Sequence, residues 1–227
     1  MNGTIIVIEG LDGCGKQTQV ELLEKYFYGK NIKVKKISFP DYDSPSSSLV
    51  KMYLNSEFGK SPNDVNAYAA ASFYAIDRYA SYKKNWHKNY INGDVIICDR
   101  YTTANAFYQM SKLEKADWEN FLTWLYDYEY NKLGLPRPNK VIYLNLPIEI
   151  SQQLMKKRYN GNENKKDLHE SNINFLTKCR EAAEYISKKD KWKVIDCSID
   201  DKIKNKSEIH QEIISYLRGD IFNGYEF

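Results

Sequence analysis

The stretch TIIVIEGLDGCGKQT, Thr4 to Thr18, decides how this chain is read. Thr4 to Ile8 is a short β-branched apolar run, the pattern of a buried strand. Val20, Leu22, Leu23, Tyr26 and Phe27 then recur at helical spacing, so a glycine-rich loop joins strand to helix. Glycine lets the backbone turn its successive amides inward, the helix start adds partial positive charge, and Lys16 adds a full one. Gly10 to Lys16 is thus a GxxxxGK loop in the strand-loop-helix context that a Walker A motif requires. A plain glycine turn would give a lysine at the helix start no structural purpose. Gly10, Leu11, Asp12, Gly13, Cys14, Gly15, Lys16, Gln17 and Thr18 are therefore expected to hold ATP, with Lys16 on its β- and γ-phosphates. The residue after the lysine is usually Ser or Thr, whose hydroxyl reaches Mg2+. Here Gln17 stands there and Thr18 follows. Either a Gln17 amide oxygen or a water serves near the metal, or the pocket binds nucleotide without turning it over.

Outward from this loop, Val34 to Phe39, Val95 to Cys98, Val141 to Leu146 and the shorter Lys193 to Ile195 are further apolar runs, separated by helical segments. Strands alternating with helices predict an α/β fold: a five-stranded parallel sheet in three layers, covered by helices on both faces. Ligands bind such sheets at the carboxyl ends of the strands. There the third run ends in Asp99 and Arg100, a carboxylate suited to magnesium waters and a guanidinium suited to bidentate phosphate binding. The second ends in Phe39, Pro40, Asp41 and Tyr42. Phe39 and Pro40 close a strand equally well, which leaves Tyr42 as the more exposed contact.

A chain of 227 residues with 42% hydrophobic content forms one domain, 1–227, without needing a second. The net charge of +3, from 33 basic and 30 acidic residues, is too mild to call for a nucleic-acid partner. Ile5 to Ile8 is too short to span a membrane and lacks a signal-peptide cleavage pattern, so a cytoplasmic protein with no membrane partner is expected. Cys14, Cys98, Cys179 and Cys197 lack metal or disulfide spacing and read as reduced thiols. His87 and His210 read as surface residues, and the segment around Asn160 to Lys166 as a mobile loop.

Several motifs together, GLDGCGKQTQ, FPDY, FYAIDR (Phe73 to Arg78), DRYTTANAFYQ (Asp99 to Gln109) and LGLPRPNKVIYLNLP (Leu133 to Pro147), resemble the thymidylate kinase family in order and spacing, from Thr4 to about Ser198. The resemblance implies ATP-dependent phosphorylation of dTMP to dTDP with Mg2+, small nucleotide substrates and a homodimer. It places Tyr74 on the thymine ring, Arg78 and Asn105 at the base, Tyr108 against the sugar, and Asp12 near the 3′-hydroxyl or the metal. A ring packed on C2′ leaves no room for a ribose hydroxyl, which favours a deoxynucleotide. Where many relatives carry Ser, this chain has Ala104. Phe121, Leu122 and Leu125 suit either a dimer face or the core.

Phosphoryl transfer needs positive charge on a loose transition state. Some relatives keep an arginine in the loop, but Gly13 and Cys14 occupy that region here. A lid at about 156–170 then has to bring it, and Arg158 is the candidate within Lys156, Lys157, Arg158 and Lys165. Asp167 and Glu170 follow at helical spacing; His169 between them is unattractive as a base, because the attacking phosphate oxygen is already deprotonated. The catalytic set is Lys16, Arg158 and Arg100; the metal set is Asp12, Asp99 and Glu170. The alternatives are a kinase for another deoxynucleotide or a deoxynucleoside, and a non-catalytic nucleotide-binding protein.

Overall fold

The computed structural model describes residues 2–162, 166–200 and 202–220. Lys165 and most of the C-terminal tail lie outside them, as does part of the expected loop at Asn160 to Lys166. The elements run β1 (Thr4–Glu9), α1 (Lys16–Gly29), β2 (Val34–Ser38), α2 (Ser48–Leu54), α3 (Ala67–Ser81), α4 (His87–Ile91), β3 (Val95–Asp99), α5 (Thr102–Met110), α6 (Trp118–Tyr126), β4 (Lys140–Asn145), α7 (Ile148–Arg158), α8 (Ile173–Lys189), β5 (Lys193–Asp196), β6 (Ser198–Ile199), β7 (Lys202–Ile203) and α9 (Lys206–Asp220).

The first five strands form one parallel sheet in the order β2-β3-β1-β4-β5. Side chains alternate across a strand, and β1 shows the result. Ile5 and Val7 join the core under α3, α5, α6 and α8, whereas Ile6 and Ile8 pack with Val20, Leu23 and Phe27 of α1 and Ile209 and Ile213 of α9. The expected three layers are present. Continuous burial holds only for β1, β3 and β4; β2 and β5 are the sheet's edges and each buries a single residue, Ile37 and Ile195. The antiparallel β6–β7 pair was not foreseen, being too short to carry a periodic signal.

Phe121, Leu122 and Leu125 are buried in the core, so this face of α6 is not a dimer surface. All four cysteines are free and buried. His87 and His210 are half-buried rather than on the surface, against the rings of Tyr82 and Tyr26. Among the described residues no helix is long and apolar enough to cross a membrane.

Candidate active site

The loop after β1 turns where side chains are excluded. Gly13 has φ of 79°, and a Cβ there would lie 2.9 Å from the Ser151 carbonyl oxygen of α7. Lys16 starts α1, is buried, and its Nζ donates to the Leu11 carbonyl at 2.9 Å. Gln17 is exposed and donates its amide to Glu21 at 3.0 Å, along the helix. Gln17 and Thr18 nonetheless line, with Lys16, Asp99, Arg100 and Arg158, a cleft of about 610 Å³ at the carboxyl ends of β1 and β3.

Arg100 has φ of 67°, a left-handed conformation that costs a non-glycine residue roughly 1 kcal/mol or more. Its guanidinium lies over the loop, donating to the Gly10 carbonyl at 3.1 Å and to Asp12 at 2.5 Å. The Tyr108 hydroxyl donates to the other Asp12 oxygen at 2.8 Å. Burial opposes ionisation of Asp12, but Arg100, Lys16 and the Tyr108 bond outweigh it and hold the carboxyl well below the usual range. Asp167 faces the opposite balance: burial and then the Asp12 charge push it up to about 7.

A second, smaller cavity shares Asp12, Phe39, Tyr42, Arg100 and Asp167 with the cleft and runs inward past Tyr74, Arg78 and Asn105 to Gln109. Tyr42 is 52% exposed at the junction. Arg78 is not bound to Asp77. Asp77 instead accepts from the Asp41 amide and Ser46, ordering the loop after β2. Arg78 pairs bidentately with Glu129, at 2.7 Å and 2.5 Å. Glu129 lies on a π-helical turn, Asp127–Lys132, and is fully buried. It also accepts from Thr102 and from the Asn105 amide. Both acceptors of the Asn105 amide, Glu129 and the Ala71 carbonyl, can only accept, so the amide orientation is set by the network and Asn105 Oδ1 is left buried without a partner. Gln109 Oε1 is likewise buried and unpaired. The sequence reading missed Glu129 and Gln109; in DYEYNK, Glu129 has the look of a solvated acid.

Glu9 was also passed over. It is fully buried and accepts from the Tyr101 amide and the Thr103 hydroxyl, bracing the turn that carries Arg100. Burial, opposed chiefly by Arg100, pushes its carboxyl from 4.5 up to about 7. Between these values the unfolded chain has lost a proton that the folded one keeps, so this contribution to stability falls as pH rises. Glu9→Gln is expected to gain on the unsubstituted protein by up to about 3 kcal/mol between about pH 5 and pH 8. Urea unfolding at both ends measures it, and a pH-independent gap would refute it.

Asp12, Asp99 and Glu170, the expected metal set, all line the cleft without gathering into one three-ligand cluster. Both Asp12 oxygens are taken, Glu170 accepts from the Tyr159 hydroxyl and the Asp167 amide, and no three His, Cys, Asp or Glu side chains gather as a metal site among the described residues. Asp167 to Glu170 is a self-capped turn rather than helix, with Asp167 accepting from the amides of His169 and Glu170. Arg158 ends α7 and lines the cleft, whereas Arg137 lies over Tyr130 and Arg180 pairs with Glu184.

A phosphate-binding loop on a parallel sheet, with a second cavity opening into its cleft through shared charged residues, defines a P-loop nucleotide kinase. The thymidylate kinase family model matches residues 8–213, and the chain belongs to that family. It is a nucleoside-monophosphate kinase. The thymidylate kinase of Mycobacterium tuberculosis is 32% identical over 150 residues, 65% of this chain and 68% of the relative. The probable thymidylate kinase of Pyrococcus horikoshii is 33% identical over 159 residues, 70% and 72% of the two. That of Plasmodium falciparum is 25% identical over 212 residues, 93% and 88%. The fold is shared with the thymidylate kinase of Candida albicans, at a TM-score of 0.71 and 22% identity over 96% of this chain and 92% of that one.

Proposed function

We propose that the enzyme transfers the γ-phosphoryl group of ATP directly to dTMP, giving ADP and dTDP with inversion at phosphorus. The junction of the two cavities at Asp12 and Arg100 carries this reading, because it lets a donor in the cleft and an acceptor in the inner cavity meet end to end. Lys16 and Arg158 neutralise the transferred group, and Arg100 holds the acceptor phosphate. Tyr74 stacks on the base. Asn105 Oδ1, the orphaned acceptor, takes the single ring N–H of thymine, while Arg78 keeps one nitrogen for a base carbonyl. Tyr108 stands where the sugar C2′ passes.

Mg2+ fits this donor set through Asp99, whose carboxylate lines the cleft beside Lys16 and Thr18. Magnesium in nucleotide sites draws most of its ligands from phosphates and waters, so a single protein carboxylate suffices. When bound, it supplies charge neutralisation at the phosphates. Homodimeric assembly and a cytoplasmic location are part of the same proposal, resting on the family.

An ADP-release assay over dTMP, dCMP, dGMP and thymidine tests the acceptor. Equal kcat/KM for dTMP and any other would overturn the thymine assignment, and tight ATP binding without turnover would make the protein a binding module. Arg158→Ala is expected to lower kcat about a hundredfold, the effect of losing one preorganised charge donor. An unchanged single-turnover rate would remove Arg158 from the site. Replacing Tyr108 with alanine is expected to narrow the preference for deoxy- over ribonucleotide by about tenfold or more, read as paired kcat/KM values.

A further inference from the structure

His169 lies on the Asp167–Glu170 turn and is 5% exposed, outside every role assigned above. Its Nε2 lies 2.9 Å from the Tyr53 hydroxyl of α2, and the neighbouring Leu168 amide donates to the Leu54 carbonyl at 3.2 Å, so the end of the lid is tied to α2 twice. The Tyr53 oxygen also accepts from Lys112 Nζ at 2.8 Å and lies 3.1 Å from the Pro62 carbonyl. A hydroxyl has one proton and two lone pairs, and the Pro62 carbonyl can only accept. All these groups are satisfied together when Tyr53 donates to Pro62 and accepts from both Lys112 and His169 Nε2–H. That arrangement fixes the imidazole tautomer. Burial, with the Lys112 charge, lowers the ring's pKa to about 3 and keeps it neutral.

The imidazole so held lies flat on the Tyr108 ring, with centroids 5.4 Å apart and planes within 14°, and packs against Phe175 at 4.8 Å. The Arg100 guanidinium lies 5.1 Å from the same Tyr108 ring. Tyr108 is therefore located by Asp12 at its hydroxyl and by His169 on its ring. We propose that His169 is a positioning residue for sugar selectivity: anchored through Tyr53, it holds the Tyr108 ring where that ring excludes a ribose 2′-hydroxyl. The inference rests on the acceptor reading above, in particular on Tyr108 standing beside the sugar.

The test is the deoxy-to-ribo ratio of Kd and of kcat/KM, read on dTMP against ribothymidine 5′-monophosphate and in parallel on dGMP against GMP. His169→Ala is expected to lower the ratio about tenfold, from the combined loss of a ring stack and a hydrogen bond. The change should fall on ribonucleotide affinity and KM rather than on kcat. Tyr53→Phe keeps its ring and loses only the hydroxyl, and is expected to lower the ratio about fivefold, the worth of one hydrogen bond. His169→Phe keeps the stack and is expected to fall between the unsubstituted protein and His169→Ala. An unchanged ratio in His169→Ala, whether or not its Tm falls, would overturn the proposal; an unchanged ratio in Tyr53→Phe alone would overturn the anchoring through Tyr53. If thymine is the wrong base, both thymine nucleotides bind weakly while the guanine pair still reports the sugar ratio.

Discussion

Replacing Lys16 with alanine is expected to lower kcat by about a thousandfold, while the protein stays folded. In the structure this ammonium is buried, and its hydrogen-bonding partners are a neutral carbonyl, Leu11 at 2.9 Å, and the Cys14 sulfur at 3.9 Å. Its hydrogen bonds go only to neutral groups, and the Asp12 carboxylate whose field it shares is already bonded to Arg100, so the ammonium keeps donor capacity and charge for an arriving anion. A polyphosphate in the adjoining cleft is such an anion, and the charge it places at Lys16 grows on the oxygens of the transferring group. Alanine removes the cation and its bond to the Leu11 carbonyl, while the glycine turn at Gly13 that shapes the loop remains. Saturating ATP and acceptor in a coupled assay isolates kcat, and thermal unfolding checks the fold. A kcat within about fivefold of the unsubstituted enzyme would mean that phosphate charge is met elsewhere, since even one lost donor costs about a hundredfold or more.

The parts of the molecule that were legible in the sequence are those whose signal is local. β1 and its loop show a β-branched run, spaced glycines and a lysine at a helix start, and the structure places each as that pattern requires. Asp99 and Arg100 were readable for a topological reason: in a parallel sheet, whatever follows a strand faces the ligand side. The interior of the inner cavity was not readable in this way. Glu129 comes from a chain segment 51 residues from Arg78, and only the packed fold brings the two together. Its surroundings in sequence, with alternating acids and aromatics, match a solvated helix end, and nothing local distinguishes the π-helical turn that directs it inward. Glu9 was concealed differently. It continues β1, where an acid at the end of an apolar run looks like a strand terminus, and its burial depends on the turn at Tyr101 and Thr103 closing over it. Asp167 and Glu170 line the cleft, but their helical spacing misled: the reciprocal bonds between side chains and amides make them a turn.

Glu129→Ala is expected to destabilise the protein by about 3–5 kcal/mol and to abolish acceptor selectivity at the base. One carboxylate here satisfies Arg78 twice, Thr102 and the Asn105 amide, all of them buried. Burial opposes the charge on Arg78, and the Glu129 carboxylate overcomes it and raises the guanidinium's pKa. Alanine leaves that cation uncompensated beside the cavity, together with a hydroxyl and an amide whose partner has gone. The penalty comes from the stranded groups rather than from the lost attraction, so a double variant distinguishes the two. Arg78→Met with Glu129→Leu replaces the pair by apolar groups of similar bulk and is expected to recover much of the stability, because a well-packed apolar pair often matches a buried ion pair. Selectivity should not return with it, since Asn105 keeps only the Ala71 carbonyl of its two amide acceptors and the guanidinium is gone. Urea unfolding gives the first quantity and the acceptor panel the second. If the single variant unfolds within about 1 kcal/mol of the unsubstituted protein, far less than a stranded buried charge costs, Glu129 is not the hub of this network.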